Sequence, residues 1–484
     1  MKDIKRNLLP ITATIKDVLN TLNKGVQGVV FVVDSEGVMK GLFTDGDARR
    51  ALLNGATFSD CVEKYINRNF IYGSTTESYE ENLKLLSEKI RHLPILDEKG
   101  RPQDFISWID LYWLPIMKPS LYGNEMRYVL DCIKSNWISS QGEYVKRFEK
   151  DFCNFFSAKY ALSTSSGTTA LHLAMTALGI GPGDEVIVPN LTFGASANAV
   201  IHTGAKPVFV DVLEETWTIS PSQIEEKISE RTRAIMPVHL YGHPCDINPI
   251  MDIASRYNLY VIEDCAEALG AQYRNKLVGT FGDVGCFSFF ANKIITTGEG
   301  GMVITKDKEI YNKMCLLRDH GMSSDKRYWH LVAGFNYRMT NLQAAIGLAQ
   351  LERIGAILKH RRNIVHLYNE YLKKIDGISL PPEAIWATNI FWLYTILIDE
   401  AITGINRDEC AAELEKYGIE SRPLFYPLHK QPPYIEENGY YPISEKLSAR
   451  GLSLPTSNDI SHDDINRVCS ALKSIINQKR LQLI

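Results

Sequence analysis

Lys293 sits among small and apolar neighbours in the stretch Cys286 to Thr305, CFSFFANKIITTGEGGMVIT, with no acid immediately beside it. An amine in such surroundings is partly desolvated, which favours the neutral form that attacks carbonyls. The same placement suits an ordinary loop lysine, so its meaning depends on the rest of the chain. Asp264 ends the apolar run NLYVIEDCAEA, residues 258–268, where a carboxylate could pair with a cationic ring nitrogen or cap a helix. The segment STSSGTTA, residues 163–170, leads into the strongly helical LHLAMTALGI. Small residues entering a helix leave free N–H groups that suit an anion, although the same residues also make plain caps. Phe193 follows the strand Glu185 to Val188 and could stack on a flat ligand or fill a core. Ser288 adds a hydroxyl just before the lysine.

Taken singly, each feature has a structural explanation. Taken together they are the parts of a site for pyridoxal 5′-phosphate (PLP): a Schiff-base lysine, an acid for the pyridinium nitrogen, a phosphate cup and a stacking ring.

A chain of 484 residues has ample material for two or three domains and a sizeable core. Hydrophobic residues make up 45% and charged residues 23%, an ordinary globular composition. A net charge of -4 gives no basic footprint for nucleic acid. The nine cysteines form no C-x-x-C pair, so neither a zinc site nor a disulfide framework is signalled, and reduced thiols in a cytoplasm are expected. MKDIKRNLLP lacks the apolar core of a signal peptide, and no apolar run is long enough to span a membrane.

The first hundred or so residues read as small strand and helix units. Residues 15–23 have helical spacing, and 29–43 form two strands joined by the turn Asp34–Gly37. Thr44-Asp45-Gly46-Asp47 then starts a helix. A second copy follows, with a helix over 78–89, strands over 92–96 and 105–109, and the turn 97–100 between the strands. It ends Ser107-x-x-Asp110, echoing Thr44-x-x-Asp47, and makes an internal repeat of roughly sixty residues. Residues 1–112 therefore resemble a tandem pair of CBS domains, an α+β module that binds adenosyl nucleotides and regulates an attached enzyme. The resemblance implies ribose contacts from Thr44, Asp47, Ser107 and Asp110, with an adenine or guanine nucleotide as ligand, while the same pairs also suit helix caps. Residues 113–119, WLPIMKP, read as a linker. From 120 to 484 strands alternate with helices, which predicts α/β architecture with a mostly parallel sheet.

The second part resembles the DegT/DnrJ/EryC1/StrS sugar aminotransferases. The matching pieces include SSGTTALHLA, IVPNLTFGASANAV, MPVHLYGHPCDI, VIEDCAEALGA, FSFFANKIITTGEGGMV and GFNYRMTNLQAAIGLAQLE. The resemblance implies the type I, aspartate-aminotransferase-like fold, with a large domain to about residue 360 and a small C-terminal domain over 361–484. It implies that Lys293 forms the internal aldimine with PLP and that Asp264 pairs with the pyridinium nitrogen. Gly167, Thr168 and Ser288 would hold the phosphate, and Phe193 the ring face. Glu267 stands where the family often has Gln or His near the ring's phenolic oxygen, a departure that leaves its role open. Asn336 would reach the phosphate of a neighbouring subunit, implying a homodimer or higher homo-oligomer. Arg422 and His429 fall in the family's segment near the nucleotide sugar.

Details such as SRPLFYPLH are most similar to the subfamily that aminates C4 of GDP-4-keto-6-deoxy-mannose with glutamate, for surface polysaccharide. A UDP-4-keto-6-deoxy-HexNAc or a dTDP sugar is the alternative substrate. A nucleotide-sensing regulator with a degenerate enzyme half is the alternative of another class. Dehydratases of the same fold replace the lysine with histidine, which Lys293 argues against.

Overall fold

The computed structural model describes residues 4–24, 28–87, 90–107, 113–436 and 438–483. Contacts divide the chain into two units: Met1–Leu114 with Ala412–Glu420, and Pro115–Ala411 with Ser421–Ile484.

The first unit carries the repeat down to single hydrogen bonds. Each half has a three-stranded sheet: Leu8–Pro10, Val29–Val33 and Met39–Thr44 in one, and Gly73–Ser74, His92–Leu96 and Pro102–Ser107 in the other. In both, the first pair is parallel and the second antiparallel, with a register shift at Val32/Val33 and again at Ile95/Leu96. The turns also match. Asp34 accepts from the Glu36 and Val38 N–H groups, and Asp97 from those of Lys99 and Arg101, all at 2.9 Å. These are Asx turns, written locally by one carboxylate.

Two details differ from expectation. The second helix is shorter than 78–89, covering Tyr79–Leu83 with Ser78 as its N-cap. The last strand, Pro102–Ser107, begins at Pro102 rather than at 105, since apolar alternation alone does not fix strand ends, and its expected end at 108–109 lies outside the described residues. Asp110 and its neighbours 108–112 lie outside the described residues.

The second unit is built on a seven-stranded sheet. Its strands are β1 (Tyr160–Thr164), β2 (Glu185–Pro189), β3 (Lys206–Val210), β4 (Thr232–Ile235), β5 (Tyr260–Asp264), β6 (Val284–Ser288) and β7 (Gly301–Thr305). They lie in the order β1-β7-β6-β5-β4-β2-β3. Only β7 runs antiparallel to its neighbours, so the sheet is mostly parallel as expected. EVIVP in β2 and VIED in β5 are buried throughout, the pattern of strands covered on both faces. Helices such as α1 (Gly167–Ala177), α2 (Ala195–His202) and α3 (Ile247–Tyr257) supply that cover.

A four-stranded sheet of Ile378–Ser379, Tyr394–Ile398, Gly451–Leu454 and Arg422–Pro423 follows. The expected domain division at 360/361 falls inside one continuous helix, α4 (Ile354–Leu372). No composition change marks that point, because the helix carries one amphipathic pattern across it.

Register explains how the site forms. Ser288 at the end of β6 pairs with Gly301, and Gly301 pairs with Thr164 at the end of β1. The end of β6, the start of β7 and the entry to α1 therefore meet at one edge. Close approach makes Gly301 obligatory there, since a Cβ would lie 2.4 Å from the Ser166 carbonyl oxygen. Gly298, at φ +82°, supplies the left-handed turn that carries the chain back from Lys293.

Candidate active site

A cavity of about 350 Å³ opens at that edge. Lys293, Asp264, Glu267, Gly167, Thr168, Ser288, Phe193 and Arg422 all line it. Eight of the residues singled out from the sequence are thus brought together.

The phosphate end is built by α1. Ser166 caps this helix in a reciprocal box with Thr169, which occupies the Thr169 N–H and the Ser166 N–H. The N–H groups of Gly167 and Thr168, in the first turn, have no partner within the helix. A Cβ at Gly167 would lie 2.7 Å from Ser288 Cβ and 3.1 Å from its Oγ. The missing side chain thus brings two free amides and a hydroxyl to one small cradle, donor chemistry that fits a phosphate.

At the other end Asp264 accepts from Ser196 Oγ at 2.8 Å and from the Ala266 N–H at 3.1 Å. Burial pushes its carboxyl up, and those two donors oppose the shift. A buried carboxylate facing the cavity fits the protonated nitrogen of the PLP ring, whose charge would remove the burial penalty. Phe193 stays 61% exposed, an aromatic face that a planar ring would cover.

Lys293 Nζ lies 3.7 Å from Glu267 Oε1 and 3.5 Å from the centre of the Trp392 ring. Burial pushes the amine down from its ordinary range, against the pull of Glu267 and Asp264. The Glu267 carboxyl is pushed up to about 7 by burial, while its Oε2 accepts from the Tyr241 N–H at 2.9 Å. Both members of the pair are therefore driven toward their neutral forms, which keeps the amine nucleophilic.

Not every expected residue reaches this cavity. His429 is buried, with its ring bonded to Asn190 and facing Glu445 at 3.2 Å, and it is absent from the wall. It ties Asn190 at the end of β2 to the segment 428–430, a packing role. Asn336 is exposed and pairs with Asp319 outside the wall of its own chain's cavity. Thr44 and Asp47 form a capping box, with Asp47 also bonded to Arg50, so they serve the helix Asp45–Leu53. Ser107 is buried against His92 Nδ1 at 3.2 Å. The first unit does contain a cavity of about 600 Å³, but other residues line it, among them Ser74, Thr75, Asn82, Gln103, Phe105 and Trp113.

Sequence reasoning missed Ser196, Tyr241, Asn292 and Trp392. Ser196 looks like one more small helix residue in FGASANAV, and Trp392 like core in NIFWLYTILI. Their contacts are made by distant parts of the chain, which no local pattern encodes.

A lysine, a buried acid and a phosphate cradle at one edge of a mixed seven-stranded sheet define a PLP-dependent aminotransferase. Residues 119–473 match the DegT/DnrJ/EryC1/StrS aminotransferase family, and residues 2–54 and 62–113 match the CBS domain. The chain belongs to that aminotransferase family and carries two CBS domains ahead of it. It is 48% identical to the GDP-perosamine synthase of Caulobacter vibrioides, over 76% of this chain and 99% of that protein. A structure of S. venezuelae DesV in complex with a ketimine intermediate superposes with a TM-score of 0.69 at 34% identity, covering 73% of this chain and 94% of that one. The PLP form of Spr1654 from Streptococcus pneumoniae, titled a putative sugar aminotransferase, superposes at 0.71 with 27% identity, covering 76% and 100%. The protein is a PLP-dependent sugar aminotransferase, and the alternative of a regulator with a degenerate enzyme half is not favoured. Among the described residues no helix is long and apolar enough to cross a membrane.

Proposed function

We propose that this enzyme transfers the amino group of glutamate to C4 of GDP-4-keto-6-deoxy-mannose, giving GDP-perosamine. The observation that carries the chemistry is the single cavity that joins Lys293, Asp264 and the Gly167–Ser288 cradle. Similarity to a GDP-perosamine synthase along 99% of its length supports the substrate. A second cavity of about 550 Å³ shares Thr168, Thr192, Phe193, Arg422 and Phe425 with the first. Lined further by Asn198, Tyr426, Gln431 and Tyr434, it has room, aromatic faces and a guanidinium for a nucleoside diphosphate.

In this reading Lys293 holds the cofactor through Nζ, Asp264 holds the ring nitrogen, and Gly167, Thr168 and Ser288 hold the phosphate. Bound PLP supplies the electron sink that lets a C–H bond beside an amine break. Lys293 Nζ, once free, takes the proton from Cα of glutamate, and in the second half-reaction it delivers one to C4 of the sugar. Asp264 stays ionised beside the ring nitrogen and keeps its proton in place. Arg422, common to both cavities, orients the sugar nucleotide.

A panel of GDP-, UDP- and dTDP-linked 4-keto sugars tests the substrate, with glutamate as donor and mass spectrometry of the products. Amination of the GDP sugar ahead of the others is expected, and faster turnover of a UDP or dTDP sugar overturns the assignment. Lys293→Ala should lose both turnover and the visible absorbance of the bound cofactor.

We further infer that the enzyme works as a homodimer in the cytoplasm, with Asn336 completing the partner's phosphate cradle, and that its product enters surface polysaccharide such as O-antigen. Exposure of Asn336 away from its own cavity supports the dimer. The nine unpaired cysteines support a reducing compartment. The N-terminal pair binds an adenine or guanine nucleotide in its 600 Å³ cavity and adjusts the rate. Calorimetric titration of the full chain with AMP, ATP and GTP, followed by assays with each, decides this: absence of binding by all three refutes it.

A further inference from the structure

Lys293 must spend half of each cycle as a free amine, and the structure has a well-defined place for it. The centre of the Trp392 ring lies 3.5 Å from Nζ, and Glu267 Oε1 lies 3.7 Å from it. The two arms are joined through Tyr241. Trp392 donates its main-chain N–H to Tyr241 O at 2.8 Å, and the Tyr241 N–H holds Glu267 Oε2 at 2.9 Å. The indole Nε1 of Trp392 donates to Asn292 O at 2.8 Å, fixing the backbone directly before the lysine.

The clamp is held under load. Tyr241 at φ +51° and Phe391 at φ +47° are both left-handed non-glycine residues, a conformation that persists only where surroundings enforce it. Arg361 does the enforcing on one side. It is fully buried, it bonds Phe391 O and Trp392 O at 3.1 Å each, and its Nε has no partner among the described residues. A buried guanidinium is costly, and here one of its nitrogens, Nη1, is given to the two carbonyls that aim Trp392, while Nη2 donates to Asn458 Oδ1 at 2.9 Å and to Met117 Sδ at 3.4 Å.

We propose that Trp392 and Glu267 form a resting berth for the Lys293 amine, which occupies it whenever it is not joined to the cofactor, so that Trp392 is a further catalytic residue of the transamination. Burial drives this pair toward its neutral forms. The indole face and the Glu267 carboxylate oppose that drive by attracting the amine once it is protonated, so between them they let it hold the proton it has just taken. The charged groups facing Lys293 are Asp264 at the end of β5 and Glu267 just beyond it, with Glu299 and Arg422 on the wall of the same cavity. The inference rests on the assignment of Lys293 as the cofactor-bearing lysine.

The test uses the full-chain enzyme loaded with PLP. Trinitrobenzenesulfonate labelling of Lys293 is followed across pH by peptide mass spectrometry, before and after excess glutamate without keto sugar. Glutamate frees the amine, so labelling of Lys293 should rise. Equal labelling before and after overturns the assignment of Lys293 and the berth with it. In the glutamate-treated enzyme, Trp392→Leu removes the attraction to the ammonium, so the labelling midpoint falls by about 0.5 to 1.5 pH units. Trp392→Phe keeps a weaker ring face and falls between wild type and the leucine variant. It carries the test alone if the leucine variant does not fold. Midpoints that stay at the wild-type value overturn the berth and leave the lysine assignment standing. A merely structural tryptophan would change unfolding or cofactor retention without moving this midpoint.

Discussion

Gly167→Ala is the substitution in which local and tertiary effects oppose each other. Gly167 opens helix α1, and within a helix alanine is ordinarily favoured over glycine by up to about 1 kcal/mol. Here the new methyl would lie 2.7 Å from Ser288 Cβ, where carbon atoms rest comfortably at about 3.5 to 4.0 Å. The strand end and the helix entry must separate by about an ångström to admit it. Overpacking of this kind costs about 1 to 3 kcal/mol, so the clash outweighs the propensity gain and the variant is destabilised. Spreading the cradle also pulls the Gly167 amide away from the Ser288 hydroxyl, so PLP affinity should fall about 10- to 100-fold, the value of one charge-assisted hydrogen bond.

The cause is separable by a double-mutant cycle. In a Ser288→Gly background the nearest remaining atom is Ser288's own Cα position at 3.2 Å, which needs only a few tenths of an ångström of relief. The stability cost of Gly167→Ala should then drop below about 1 kcal/mol, a coupling characteristic of touching residues. Urea unfolding of the four proteins without added cofactor measures it, with PLP titration by fluorescence alongside. An equal cost in both backgrounds, or a stabilised Gly167→Ala, would refute the argument.

Three further outcomes follow from the same geometry. Glu267→Gln should be pH-dependent. The carboxyl sits near 7 when folded, above its ordinary 4.5, so it holds more protons folded than unfolded, and the wild type loses stability as pH rises through that window. The stability of Glu267→Gln relative to wild type should therefore increase between pH 5 and pH 8 in urea melts, and a flat difference would contradict the burial argument. Asp264→Asn should still retain cofactor through the cradle but slow the glutamate half-reaction by about 10² to 10⁴-fold, the cost of leaving a buried cation without its carboxylate; stopped-flow absorbance measures the rate. Asn336→Ala should weaken PLP retention although the residue lies outside its own chain's cavity, and mixing it with a Lys293→Ala variant should yield some restored sites through hybrid dimers. Failure of that complementation would argue against the shared cradle.

The amino-acid sequence by itself determined the features that a few neighbouring residues complete. Asp34 and Asp97 write their turns through amides two and four positions on, and Ser166 with Thr169 writes the start of α1. The buried runs of β2 and β5 spell a parallel sheet, and Lys293 among apolar neighbours spells an unusual amine. Local chemistry suffices for these because donor and acceptor travel on the same few residues. Tertiary structure alone decided which of them meet. Insertion of antiparallel β7 between β1 and β6 placed Ser288 against Gly167, and so turned two ordinary residue types into a phosphate cradle. The fold also left His429 in the packing beside Asn190, kept Asn336 out of its own cavity, and spent Thr44 and Asp47 on a helix cap. It brought Trp392 over Lys293 from another part of the chain, on a backbone aimed by buried Arg361. Such contacts depend on sheet order and on core packing summed over hundreds of residues, and no spacing along the chain records them.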